Sequence, residues 1–228
     1  MSGKLYVFFG ISGAGKDFMQ KEFIKFSDGK VVDVPRIHSR KRRDTELDSK
    51  NSFDVPVEEI CSSENFHAEV NGDYVGINKA FIKEQLSLGN SLAYSTGSTE
   101  MIEALISDPD ISKDVCLIYI ASQKMDDGDY FTLEGKRNSN RSLDEIAVSA
   151  YQRLINSNTV MEYYSNNQDV FDYAYFNTTK YVKPEIAAQF QKQFFDMFFK
   201  VLMDFDKETQ SSIWISNSNP RRNINQTL

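Results

Sequence analysis

The segment Gly10-Ile-Ser-Gly-Ala-Gly15-Lys16-Asp17 constrains this chain more than any other. It satisfies G-x-x-x-x-G-K, comes after the apolar run Leu5-Tyr-Val-Phe-Phe9, and precedes Phe18, Met19, Phe23 and Ile24 at helical spacing. A short apolar run closed by glycine reads as a strand buried on both faces of a parallel sheet. Between such a strand and a helix, a glycine-rich bend can cradle phosphate. Its backbone N–H groups turn inward, the helix N-terminus adds partial positive charge, and the lysine reaches the outer phosphates. Gly10, Ser12, Gly13, Ala14, Gly15 and Lys16 are the expected binders of ATP. Asp17 stands where Ser or Thr usually offers a hydroxyl to Mg2+. Two readings stay open for it: a hard oxygen ligand for the metal, or a carboxylate suited to the first helical turn by the dipole.

The rest of the chain alternates. Val31–Val34, Ser91–Tyr94, Val115–Ala121 and Val170–Phe176 read as strands; segments starting near Asn78 and Thr99 read as helices. Ser142-Leu-Asp-Glu145 is a capping box opening a helix whose apolar stripe is Leu143, Ile146, Ala147, Ala150, Tyr151, Leu154 and Ile155. Pro184 can open a last helix, with Ile186, Ala187, Phe190, Phe194, Met197, Phe198, Val201 and Phe205 on its face. Its second face, Phe195, Phe199 and Leu202, is assigned to the core ahead of a dimer contact. The pattern implies an α/β fold: a mostly parallel sheet covered by helices. The expected division is a core of 1–35 and 96–206 with a lid at about 132–142, an insert at 36–95, and a polar tail at 207–228 in which only Ile213-Trp-Ile215 is a docking candidate.

Composition narrows the function. The 228 residues carry 26 Lys plus Arg and 33 Asp plus Glu, a net charge of −7, which disfavours nucleic acid and anionic membranes as partners. Cys61 and Cys116 are far apart with no partner at ligand spacing, so a disulfide scaffold or zinc site is not expected, and the usage fits a reducing cytoplasm. No apolar run approaches 18 residues. The basic residues concentrate in Arg36-Ile-His-Ser-Arg40-Lys-Arg42-Arg43, which on its own fits a solvated face, a nucleic-acid patch or an anion site. His38 and His67 lack partner spacing and are read as surface or structural.

The residues around and just beyond this basic run favour the anion site. Ser39-Arg40-Lys-Arg-Arg43-Asp-Thr-Glu46 resembles the T-R-x-P-R-x-x-E element of guanylate kinases, with Arg42 in place of proline. Two guanidiniums three residues apart can converge on one phosphate. The resemblance extends from about Lys4 to Asn177. Gly72-Asp-Tyr74-Val-Gly76 is similar to G-x-x-Y-G, Glu134-Gly-Lys-Arg137 resembles the lid, Arg153-Leu154 resembles the R-L pair beyond it, and Phe171-Asp-Tyr-Ala-Tyr-Phe-Asn177 is similar to F-D-x-x-I-x-N. The resemblance implies a P-loop kinase fold and transfer of the γ-phosphoryl group of ATP, with Mg2+, to a nucleoside monophosphate, GMP or dGMP first. It implies Arg40, Arg43, Glu46, Glu69, Tyr74 and Asn78 on the acceptor, Asn177 near the adenine, and Lys16, Arg137, Arg141 and Arg153 as the cations of transfer. A monomer or homodimer is expected. Arg153 sits at the edge of its helix's apolar stripe, where a charged residue either snorkels or points into a cleft.

The departures bear on the substrate. The base-reading hydroxyl is missing at Val75-Gly-Ile77-Asn78, where Asn78 can also cap its helix, and Ser52 or Phe53 replaces a phosphate-gripping tyrosine. The family's D-x-D strand appears as Ala93-Tyr-Ser95-Thr96. This loss and Asp17 can be one event, a metal-organising carboxylate moved from strand to loop. The G-K-D loop is also similar to that of bacteriophage deoxynucleoside monophosphate kinases. The alternatives are a kinase of different or broad base specificity, and a guanylate-kinase-like module that binds without catalysis.

Overall fold

A computed structural model describes residues 3–42, 46, 50–122, 127–137, 142–177, 195–205 and 213–216. The chain begins with β1 (Leu5–Phe9), α1 (Lys16–Phe26) and β2 (Val31–Asp33). An inserted segment comes after them: β3 (Ile37–His38), α2 (Val57–Ile60), β4 (Asn65–Val70) and β5 (Asp73–Asn78). Next come α3 (Lys79–Ser87), β6 (Ser91–Thr96), α4 (Thr99–Ser107) and β7 (Val115–Ser122). The chain then runs through α5 (Asp127–Arg137), α6 (Leu143–Asn166), β8 (Tyr173–Asn177), helical residues 195–203 and β9 (Ile213–Ser216).

The core sheet has the order β2-β6-β1-β7-β8-β9, every pairing parallel. All five residues of β1 are buried, as a central strand covered by helices on both faces requires. Register aligns Phe9 with Thr96 on one side and Tyr119 on the other, so β1 and β6 end together beneath the glycine-rich bend while β7 runs on to Ser122. Phe8, Phe23, Tyr173, Phe198 and Phe199 fill the layer between sheet and helices, and Phe195 and Leu202 join them, so the second aromatic face of the last helix is core. Met197, assigned to its buried stripe, is exposed; residues 178–194, including Pro184, Ile186, Ala187, Phe190 and Phe194, lie outside the described residues.

Four expectations need adjusting. β6 returns to the core sheet at Ser91, so the insert ends ahead of residue 95. β8 starts at Tyr173, after a 3-10 turn at Gln168–Val170. Ile213–Ser216, read as part of a polar tail, adds a sixth parallel strand beside β8; a β-branched and aromatic run is the kind of segment that fills an open sheet edge. On α6 the buried residues are Ile146, Ala150, Arg153, Ser157, Val160 and Tyr164, while Leu143, Tyr151 and Ile155 are exposed. The buried steps of four and three residues make one seam against α5 and the core. Two of its members, Arg153 and Ser157, are polar and charged groups with partners: Tyr130 of α5 donates to Ser157 at 2.6 Å, and Arg153 bonds Ser12 and Glu134.

The insert is a three-stranded antiparallel sheet, β3-β5-β4. Asn71 and Gly72 close the β4–β5 hairpin with φ values of 56° and 83°, a two-residue turn whose handedness suits strand twist. Gly76 on β5 allows close packing: a Cβ there would stand 3.0 Å from both Ile37 Cγ1 and Ile60 Cγ2. Phe66, Ala68 and Ile77 belong to the same buried cluster as β1, so one face of the insert is continuous with the core. Among the described residues, no helix is long and apolar enough to cross a membrane.

Candidate functional site

The bend between β1 and α1 holds Gly13 and Gly15 at φ 85° and 92°, the left-handed region that favours glycine. Gly15 is tight as well as left-handed, since a Cβ there would come 2.8 Å from the Asn177 side-chain nitrogen. Asn177, at the end of β8, donates to the Ala14 carbonyl at 2.8 Å. Its amide therefore braces the loop backbone, a contact beyond the place near the adenine that the resemblance implies.

Arg153 is buried and spans two elements. Its Nη1 donates to Ser12 Oγ at 2.8 Å, and its Nε pairs with Glu134 of α5, which is fully buried. A buried guanidinium is tolerated only with such partners. The loop, α6 and α5 are thereby tied through one cation. In the sequence Glu134 is only the first residue of the lid segment; its partner emerges when α5 and α6 pack together.

Asp17, in the first turn of α1, is exposed toward a cleft and accepts a hydrogen bond of 2.5 Å from Ser95 Oγ of β6. Behind that pair stands Arg36, the residue of the basic run nearest β2. Its Nη2 donates to Ser95 Oγ at 2.9 Å and to Gln20 Oε1 at 2.8 Å, and its guanidinium lies 5.1 Å from the Tyr94 ring centroid. Gln20 passes on two donations, to Asp33 Oδ1 at 2.5 Å and to the Ala93 carbonyl at 3.0 Å. Desolvation pushes the Asp33 carboxyl above its usual value, opposed by Arg36. Burial raises the Tyr94 hydroxyl, again against Arg36, so Tyr94 stays a neutral phenol. No sequence motif predicts that Arg36, Gln20 and Ser95 join in one network, although Arg36 opens the basic run and Ser95 falls on the strand that stands for D-x-D. The one available signal is position: Arg36 and Ser95 fall at the carboxyl ends of parallel strands, where open α/β sheets take ligands.

These groups line a cleft of about 670 Å³, within the range of small-molecule sites. One wall is Ser12, Lys16 and Asp17 with Tyr94 to Gly97; the second is Arg36, His38, Arg40 and the hairpin Val70–Val75; the third is α6, from Asp144 to Asn156, including Arg153. Arg40 is held by Glu46 through Nη1 at 2.8 Å and Nη2 at 2.5 Å, and packs on Phe53 at 5.1 Å. Glu46 thus orients Arg40. Phe53 also stacks on His38, with ring centroids 5.0 Å apart at 9°, so His38 belongs to the cleft wall and not to an unrelated surface.

Ser12, Lys16, Asp17, Arg40, Tyr74 and Arg153 of the expected site residues line this cleft, while Gly10, Gly13, Ala14, Gly15, Glu46 and Asn177 stand behind or beside it. Asn78 and Glu69 are not among its lining residues. Asn78 Oδ1 caps α3, accepting from Phe81 N at 2.9 Å, and Glu69 is exposed on β4 beside Tyr74, whose hydroxyl it pushes up. Arg43, Arg141 and the Arg137 side chain lie outside the described residues. For a cation, Asp17 supplies a hard oxygen where the glycine-rich bend meets the cleft; among the described residues no group of three or more His, Cys, Asp or Glu forms a metal cluster.

The fold is similar to the crystal structure of guanylate kinase from Anaplasma phagocytophilum, with a TM-score of 0.56 over 90% of this chain and 88% of that one at 17% identity. No protein-family model matches the chain, and no curated protein matches it.

Proposed function

We propose that this chain is an ATP-dependent nucleoside monophosphate kinase, with GMP or dGMP the first acceptors to test and other deoxynucleoside monophosphates next. The observation that carries the reading is a single cleft that joins the phosphate loop, Arg153 and the Glu46-oriented Arg40. A module that only binds one anion does not need cations at both ends of such a space. The core with its loop would take ATP, and the insert, from Arg36 to about Asn90, would take the acceptor; residues at about 132–142 would form the lid.

Phosphoryl transfer asks the protein for alignment and charge neutralisation more than for covalent chemistry. Gly10 to Lys16 bind and orient the triphosphate, with Lys16 on its outer oxygens. Arg40 receives the acceptor phosphate, joined by Arg43. Arg153, with Arg137 and Arg141, neutralises charge on the transferring group, and lid closure over the cleft excludes water. Asp17 would hold Mg2+, which would supply charge neutralisation for the transferring group. An assay of ADP release across a panel of nucleoside monophosphates tests the proposal: release stimulated by at least one monophosphate supports it, and no stimulation by any would sink it.

One observation favours a base preference other than guanine. Ile77 is fully buried, Asn78 is spent on its cap and Glu69 lies outside the cleft lining, so three positions that the resemblance assigns to base reading offer the cleft no polar group. The same panel decides it, by the order of kcat/KM.

A further inference from the structure

The hydrogen-bond directions around Asp17 are fixed by chemistry. Arginine has donors only, so Ser95 Oγ must accept from Arg36 Nη2, which leaves the single serine proton for Asp17 Oδ1. Gln20 Oε1 likewise accepts from Arg36, so its amide nitrogen faces Asp33 and the Ala93 carbonyl. Arg36 is itself held against the Tyr94 ring. The result is a one-way relay, Arg36 to Ser95 to Asp17, running from the wall of the insert to the first turn of α1.

We propose that Ser95 is a positioning residue for Asp17, and that Asp17 and Ser95 form an exchanged pair: the carboxylate stands on the loop and the hydroxyl on the adjoining strand, in the reverse of a loop hydroxyl held by a strand carboxylate. This rests on the reading of the loop as an ATP site that uses Mg2+. Ser95 fixes one carboxylate oxygen by donating to it and directs the group toward the cleft. Arg36 polarises the serine hydroxyl and offsets the negative charge that Asp17 brings near phosphates. Because Ser95 is buried and small, replacing it with alanine removes one hydroxyl and little volume.

The test reads nucleotide binding without turnover. Fluorescent mant-ATP is titrated into the full chain in excess Mg2+ and in EDTA, and the ratio of the two dissociation constants measures how strongly metal assists binding. In Ser95→Ala that ratio falls about tenfold, the low end of what losing an outer-sphere partner costs in metal affinity, while the EDTA affinity stays within about twofold. Asp17→Ser loses the metal assistance and binds mant-ATP more tightly in EDTA, since a carboxylate beside phosphates is gone. The double variant Asp17→Ser/Ser95→Asp regains metal assistance over Asp17→Ser alone.

A structural role for Ser95 would instead weaken binding equally in both conditions, and that result overturns the inference. So does a double variant no better than Asp17→Ser, or a parent chain whose affinity is the same with and without Mg2+. The kinase reading is judged apart from these, by ADP release with monophosphates; mant-ATP binding that is absent in both conditions would overturn both.

Discussion

The core sheet and the insert solve different problems. Around β1 every pairing is parallel and every residue of the strand is buried, and what stands at the carboxyl ends of β1 and β6 is mostly backbone, a bend of glycines. In the insert the sheet is antiparallel, and what it brings to the cleft includes long cationic side chains held by their own partners, Arg40 by Glu46 and Phe53, Arg36 by Gln20, Ser95 and Tyr94. A site built of backbone is as rigid as its fold. A site built of side chains is adjustable, and its specificity can change with few substitutions. That contrast matches the residues themselves: the loop keeps every fixed position of its motif except the last, while the positions expected to read the base are altered.

The largest effect is expected at the core. Phe8 is fully buried on β1 beside Phe23, so Phe8→Ala should cost about 3–5 kcal/mol, read as a shift in urea midpoint. Phe66 of the insert belongs to the same buried cluster. If the insert is energetically continuous with the core, Phe66→Ala lowers the midpoint in one cooperative transition; two separate transitions would show an independent unit. Next in size is Lys16→Ala, expected to reduce kcat by about 10²–10³ by comparison with other preorganised charge contacts. A kcat within about threefold of the parent would remove Lys16 from the transfer step.

On the acceptor side the expected effect is smaller and falls on a different constant. Arg40→Ala should raise the KM for the monophosphate by about 10- to 100-fold, the scale of a hydrogen bond to a charged group, with the KM for ATP little changed. Glu46→Gln keeps the size of the side chain but loses the charge that holds Arg40, and should show a weaker form of the same pattern. Equal changes in both Michaelis constants would mean that the two ends of the cleft are not separable, and the contrast between a backbone site and a side-chain site would fail.

How much of the molecule was legible in the sequence divides along the same line. The loop, β1, α1 and the capping box at Ser142 were readable because each is local: spacing and residue type within a dozen positions determine them. Arg40 and Glu46 were readable as a spaced pair. The pairings of Arg36, Ser95, Gln20 and Glu134 were not, although Arg36 opens the basic run, Ser95 falls on the strand that stands for D-x-D and Glu134 opens the lid segment; their partners lie as far as 78 residues away, as Ser95 and Asp17 do. The buried seam of α6 departs from its apolar stripe for a related reason. Arg153 and Ser157 lie on the buried side because tertiary partners satisfy them, while Leu143, Tyr151 and Ile155 are left outside, so hydrophobicity alone points to a stripe displaced from the true one. β9 is faint in the sequence because four apolar-rich residues in a polar tail become a strand only when an open sheet edge is available.

Asn78 gives the smallest effect and separates two roles cleanly. As the N-cap of α3 its side chain accepts from Phe81 N at 2.9 Å, and replacing such a cap by alanine costs about 1 kcal/mol. Asn78→Ala should therefore lower the urea midpoint slightly and leave the acceptor KM where it was; Asn78→Ser, which can still cap, should recover most of the stability. A base-reading Asn78 would give the opposite pattern, a raised KM and altered order of monophosphates with stability barely moved. Asn78 lies where the insert's last strand passes into α3, so this one position shows whether an altered motif residue has become a piece of scaffold or has kept a hand in recognition.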